Sequence, residues 1–447
     1  SLIYTLTVTR RLPTQDLALL TLYNSAYAVA AAVVGYATTW YPRILAKDPS
    51  RLPELAAAGI LVALAAVIPL AAYLALYGRP DPVLLALGAT SLVLFAWPAG
   101  AYIAVYRQRL SVAANFASQL IKIAGAYAVR QSPTAHLAVA ITAIVTTPAA
   151  LAKIVKPKFR EALGIVGTFL RGAPFQTLYL ASTAAGGFLT YAIYLAGGDT
   201  LLSHSYLLFQ ISKSVYPALA IVPLMYGSLL IERDKIRRAL LDGAVLLYLY
   251  VLTASIMAKT PEWYIALLRP AELNNEELAE AVRLNAALLL ASGIYLHIDT
   301  TLRGVEEKEV FTLRDRPSKA LLFDILLAPF TILLTYTLAK SFGTPGMVAA
   351  QIPPHIFAIA YRMRLIGQYS KTLAVRLYIP LAAVLLAIYL TPLPLTRYST
   401  TSLLEAVATY LPNLAILTLT ATAYTLALTP PAREAVVTLI RKAARQL

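Results

Sequence analysis

LPTQDLALLTLYNSAYAVAAAVVGYATTWYPRILAKD, residues 12–48, is echoed by GGDTLLSHSYLLFQISKSVYPALAIVPLMYGSLLIERD, residues 197–234. Each stretch starts at an acid (Asp16, Asp199), runs through a long apolar segment and passes a late tyrosine (Tyr41, Tyr226). Each then leaves through a charged turn ending at Asp48 or Asp234. A bilayer-spanning helix needs about 20 mostly apolar residues, and both runs exceed that. A second correspondence follows in the same order: GAYIAVYRQRL, exiting at Arg107, against SGIYLHIDTTLRG, exiting at Arg303. Segments exiting at Lys153 and Arg362 make a third. Any two apolar helices look alike; what marks a repeat here is that the loop charges recur together with the apolar runs.

Composition agrees with that reading. Of 447 residues, 59% are hydrophobic and 13% charged, with a mean hydropathy of +0.68. Soluble domains are about 45–50% apolar and about 25% charged, so a water-soluble multidomain protein is excluded. Zero cysteines exclude disulfides, Cys-ligated zinc and thiol catalysis. Asn and Gln are scarce, which points to a thermophilic source. The net charge of +16 suggests loops facing anionic lipid, not nucleic acid.

Thirteen segments meet the length requirement. They are residues 16–42, 55–77, 82–106, 110–129, 134–154, 169–197, 201–231, 236–258, 277–299, 320–342, 346–361, 373–393 and 403–428. The apolar stub 1–9 implies a fourteenth, truncated helix, and it has no features of a signal peptide. The tail from Pro431 reads as a basic helix on the membrane surface. With the stub as helix one, loops after even helices and the tail hold 26 of the 38 Lys and Arg, and loops after odd helices hold eight. This bias places the C-terminus in the cytoplasm. The expected fold is therefore an all-α polytopic membrane protein of about 14 helices. Two six-helix lobes, residues 1–155 and 156–366, precede two further helices and the basic tail, residues 367–447.

Two local motifs carry a family resemblance. TRRLPTQDLALLTLYNSAY, residues 9–27, resembles the junction of helices one and two in polysaccharide-biosynthesis flippases. FLRGAPFQTLYL, residues 169–180, resembles the proline-containing start of their helix seven. These flippases belong to the multidrug/oligosaccharidyl-lipid/polysaccharide exporter (MOP) superfamily. Ala18 stands where the family usually has glycine. The resemblance implies two lobes around a central cavity, alternating access of a lipid-linked sugar at the plasma membrane, and a monomer.

Lys122 and Lys213 fall near the middle of spans, and Arg171 lies three residues before Pro174. Lys122 is 13 residues from Arg109, about 20 Å along a helix. A cation at the bilayer centre costs roughly 2.5–3.5 kcal/mol, so it faces a partner or a watery cavity. Asp242 and Asp324 lie about two turns from the basic loops, so no acid matches that depth. Three such cations predict a cavity suited to the phosphates of a polyprenyl-linked oligosaccharide. The bland alternative is that Arg171 snorkels and the lysines bond backbone carbonyls.

Asn24, Gln119, Gln176 and Gln210 could bond sugar hydroxyls or neighbouring helices. Asp324, Asp242, His297 and His355 are candidates for proton or cation coupling, the histidines equally for hydrogen-bonded packing. The tyrosine excess, 28 against 12 Phe, fits interfacial belts. No phosphate-binding glycine loop, HExxH or Gly-x-Ser-x-Gly motif occurs, so no ATPase, zinc or serine-hydrolase chemistry, cofactor or resident metal is expected. The reading is a flippase and not an enzyme. The alternatives are a membrane glycosyltransferase or polymerase using lipid-linked sugars, and a cation-coupled multidrug exporter. The first would want an acidic metal motif and a large external loop, and the second would want deep acids.

Overall fold

The computed structural model describes residues 8–38, 48–78, 82–98, 155–212, 234–306, 312–396 and 402–444, with isolated positions between them. The expected spans 110–129 and 134–154 lie essentially outside the described residues, as does most of 213–233. Among the described residues the structure is helical, with no strand. The principal helices are α1 (Thr14–Thr38), α2 (Leu52–Leu76), α3 (Pro82–Phe95), α4 (Phe159–Ser212), α5 (Lys235–Lys259) and α6 (Pro261–Leu268). They continue as α7 (Glu276–Val305), α8 (Arg316–Ala349), α9 (Ile352–Ile366), α10 (Ile379–Leu390), α11 (Leu403–Leu428) and α12 (Pro430–Ala444). Seven helical stretches among them are long and apolar enough to cross a membrane. The chain divides into two compact units, Ser1–Tyr206 with Val310–Leu313, and Leu207–Glu309 with Arg314–Leu447.

In the first unit α1, α2 and α3 pack on one another. Gly59 permits a close approach there, because a side chain would collide with the Ala96 carbonyl and the Tyr41 hydroxyl. That hydroxyl donates to the Ala96 carbonyl at 2.9 Å. Tyr73 donates to the Ala184 carbonyl at 3.0 Å and Tyr77 to the Gly187 carbonyl at 3.2 Å, tying α2 to α4. Tyr23, Tyr41 and Tyr77 are all buried. Tyr41, Tyr73 and Tyr77 thus join helices, each supplying an apolar body and a hydrogen bond. Asp48 precedes α2 and caps its approach by accepting from the Ser50 amide at 3.0 Å and the Ser50 hydroxyl at 2.6 Å. Those bonds, with nearby Arg51, hold its carboxyl below the usual carboxylate range.

Backbone breaks mark two junctions that the hydropathy pattern anticipates. Gly198 (φ 61, ψ −149) interrupts α4, and Gly343 (φ 59, ψ −139) interrupts α8. Both conformations belong to glycine. At the second break the Glu277 carboxylate accepts from the Thr344 amide at 2.7 Å.

The second unit is organised on α7, which packs against α5, α8 and α9. Polar bonds reinforce it. The Asn285 amide donates to the Ser212 hydroxyl at 3.2 Å. Lys259 donates to the carbonyls of Tyr389 and Thr391 at 2.7 and 2.8 Å. Ile68, Leu326 and Leu419 are about seventy per cent exposed, as side chains facing lipid are.

Several expected boundaries shift. The span 277–299 extends to Val305, which puts Asp299 inside α7. The span 346–361 becomes α9, extending to Ile366 and including Arg362. Within the span 82–106 the helix α3 stops at Phe95, because Pro98 disfavours a helical conformation at Trp97, and Ala101 and Tyr102 are helical again. A π-helical turn, Ala374–Tyr378, leads into α10. The basic tail is helical from Pro430, as expected.

Candidate functional site

Tyr295, Asp299 and Arg303 follow one another at four-residue spacing, so they share one face of α7. Asp324 of α8 and Arg362 of α9 meet that face. Arg362 is fully buried. Its two terminal nitrogens donate to the two Asp324 oxygens at 2.8 and 2.6 Å, the parallel fork that guanidinium and carboxylate favour. Nε donates to Asp299 at 3.2 Å, and Nη2 also donates to the Tyr295 hydroxyl at 2.7 Å. That hydroxyl donates in turn to Asp324 at 2.7 Å. Asp299 accepts a second cation, Arg303, at 2.8 Å. The Arg362 guanidinium lies 4.0 Å from the centre of the Tyr295 ring.

Two arginines and two aspartates balance in charge, and burial makes that balance necessary. A charge withdrawn from water without a partner costs several kcal/mol. The carboxylates remain slightly open, at 11% for Asp299 and 14% for Asp324, whereas the arginine is sealed. Asp324 lies eight residues inside α8 and Arg362 four residues before the end of α9, about 12 and 6 Å along the helices. The network therefore sits toward the end of the unit that carries Arg314, Arg316 and Arg364. Chemically it can hold three helices together and could move a proton or exchange partners. Among the described residues no group of three or more His, Asp or Glu gathers to hold a metal ion.

Of the residues singled out by sequence, Asp324 is in this network. Asp242 pairs with Arg238 at 2.8 Å near the start of α5. His297 is buried, with Nε2 at 3.0 Å from the Ala239 carbonyl and Nδ1 at 2.8 Å from the Tyr378 hydroxyl. A carbonyl only accepts, so Nε2 carries the proton and, in the neutral ring, Nδ1 accepts from tyrosine. Both ring nitrogens are thus hydrogen-bonded. His355 donates from Nδ1 to the Gln351 carbonyl at 2.9 Å, with its ring 6.1 Å from that of Tyr295. Gln176 and Gln210 are buried, and Asn24 is exposed on α1. Lys122, Lys213 and Gln119 lie outside the described residues, as does the side chain of Arg171, whose backbone is in α4.

Arg362 corrects the sequence reading most. Counted with the loop cations, it is a buried partner of two acids. Asp299, placed at the edge of a span, is one of those acids. The available signal was the four-residue spacing of Tyr295, Asp299 and Arg303, which gives α7 a polar stripe.

Neither a family model nor a curated protein sequence matches the chain. Solved structures do. The lipid II flippase MurJ in an inward closed conformation superposes with a TM-score of 0.67 at 12% identity, over 95% of each chain. An inward-facing multidrug resistance MATE family transporter of the MOP superfamily gives 0.60 at 14% identity, over 83% of this chain and 94% of that one. Together with the apolar helices, these likenesses make the chain a multi-pass membrane protein with the fold of the MOP superfamily.

Proposed function

We propose that the chain is a flippase that moves a polyprenyl-phosphate-linked oligosaccharide across the plasma membrane by alternating access. The observation that carries this reading is the extent of the structural likeness. The MATE transporter corresponds to 83% of this chain, the lipid II flippase to 95%. In this reading residues 1–155 and 156–366 form two lobes, residues 367–447 add two helices and the tail, and the C-terminus is cytoplasmic. The protein acts as a monomer, without enzymatic chemistry. Lys122, Lys213 and Arg171 supply positive charge to the lipid phosphates, where arginine forks two oxygens and lysine acts as a point charge. Asn24, Gln119, Gln176 and Gln210 are the proposed sugar contacts.

The test is translocation of a fluorescent polyprenyl-pyrophosphate oligosaccharide in proteoliposomes. Lys122→Ala, Lys213→Ala and Arg171→Ala are each expected to slow it at least tenfold. Undiminished rates in all three would overturn the phosphate assignment, and no translocation by the unaltered protein would overturn the function.

A cation-coupled exporter is the second reading, favoured by the acids Asp299, buried, and Asp324, largely covered, inside the helical unit. Under it, Asp324, with Asp242, His297 or His355, would take up the coupling ion. Collapsing proton and sodium gradients would then abolish transport, whereas an uncoupled flippase would keep its equilibration rate.

A further inference from the structure

α11 is poorly covered by protein: 22% of its most apolar stretch is buried, against 67% for α5. Between these two helices, and closed at one end by α12, runs a crevice of about 190 Å³. Ala244, Val245 and Tyr248 of α5 line it, with Leu426 of α11 and Ala435 and Val436 of α12. Thr422 and Thr425 line it too; the Tyr248 hydroxyl is engaged, 2.7 Å from that of Thr422, and the Thr425 hydroxyl is buried without a hydrogen bond. A small group the size of water takes about 30 Å³, so roughly six methylenes fit.

Charge identifies the occupant's other end. Arg237 of α5 reaches Glu434 of α12 at 2.7 Å beside the crevice, and that arginine is 63% exposed. Arg433 is exposed on the preceding position of α12; Lys235 and Arg238 open α5 beside Asp234 and Asp242, the latter paired with Arg238 at 2.8 Å, so four cations face three acids there. Val436 and Val437 of α12 are 42% and 45% exposed, which suits a helix lying at the boundary of headgroups and acyl chains. A hydrocarbon slot thus ends under a cluster with more cations than acids.

We propose that this crevice binds one acyl chain of an anionic phospholipid from the leaflet facing the basic loops, with the headgroup held by Arg433 and Arg237. A chain already in the bilayer gains little from burial, because lipid tails are as apolar as the slot. Selectivity therefore comes from the headgroup, at roughly fivefold for each basic side chain near the surface. The slot fixes where that lipid sits and fastens α12 onto α5 and α11.

The experiment is native mass spectrometry of the full chain released from mixed phosphatidylglycerol and phosphatidylcholine vesicles. One phosphatidylglycerol is expected to be retained in preference to phosphatidylcholine by fivefold or more. Ala435→Phe fills the slot and should abolish the retained lipid. Val245→Trp, at a lipid-exposed position, does the same should the first variant fail to fold. Arg433→Gln should lower the preference severalfold, and Lys340→Gln, near the opposite end of α8, should leave it unchanged. Equal retention of both lipids, or full retention in the filled variants, would overturn the proposal. Displacement of phosphatidylglycerol at one equivalent by added polyprenyl phosphate would also overturn it, by assigning the slot to the polyprenyl chain.

Discussion

Arg362 makes its contribution as a fully paired charge, and that sets what its loss should do. Arg362→Met leaves Asp324 with the Tyr295 hydroxyl but no cation, and Asp299 with Arg303. Breaking one side of a buried ion network typically costs about 3–5 kcal/mol. Thermal unfolding in detergent should register a large fall in midpoint. Adding Asp324→Asn to the same variant should recover much of it, since the stranded charge is gone. Arg362→Lys should not substitute, because an ammonium cannot supply the fork to Asp324 together with the bond to Tyr295. At His297 the expected effect is smaller. Tyr378→Phe removes the donor to Nδ1 and leaves a buried acceptor unpaired, a loss of about 1–3 kcal/mol on the same measurement. These two sites also show what was legible in the sequence. His297 already admitted a packing role on general grounds. Arg362 did not, because hydropathy places every charge at a helix end in a loop, and only the meeting of α7, α8 and α9 moves it inside.

At the level of elements, the hydropathy pattern located the breaks better than the ends. The expected spans stop at Gly197 and Phe342, where the backbone leaves the helix. Glycine is readable there because no other residue reaches those angles without strain. The ends of α7 and α9 were not readable, since their last turns are polar and the pattern stops one turn or more too soon. The two breaks differ in surroundings, which yields a comparison. A side chain at Gly198 would meet open space, whereas one at Gly343 would run into the Glu277 carboxylate that caps Thr344. Gly198→Ala should cost about 1–3 kcal/mol from backbone conformation alone. Gly343→Ala should cost more, and Glu277→Ala should relieve part of the difference by removing the obstructing carboxylate. Equal losses at the two glycines would count against the cap.

For the whole molecule, the loop charges predict an orientation. Each apolar run alone says only that a helix can cross; alternate loops rich in Lys and Arg say which end stays in the cytoplasm. Moving Arg362 into the interior removes one cation from that count and leaves the asymmetry intact. The absence of cysteine makes the orientation directly measurable. Single cysteines at Lys158, Gln368 and Glu272 would each carry the only thiol in the chain, at positions the hydropathy pattern assigns to loops. If the charge rule governs, an impermeant maleimide added to intact cells labels Glu272→Cys alone. Lys158→Cys and Gln368→Cys react only after the membrane is opened. Labelling of all three from outside would contradict the parity of the spans. External labelling of Gln368→Cys alone, with Lys158→Cys protected, would instead place an uncounted crossing between residues 158 and 368. A crossing that fell before residue 234 would break the correspondence of residues 12–48 with 197–234, because two copies of one repeat in the same orientation require an even number of crossings from each to the next; one beyond residue 234 would leave it intact.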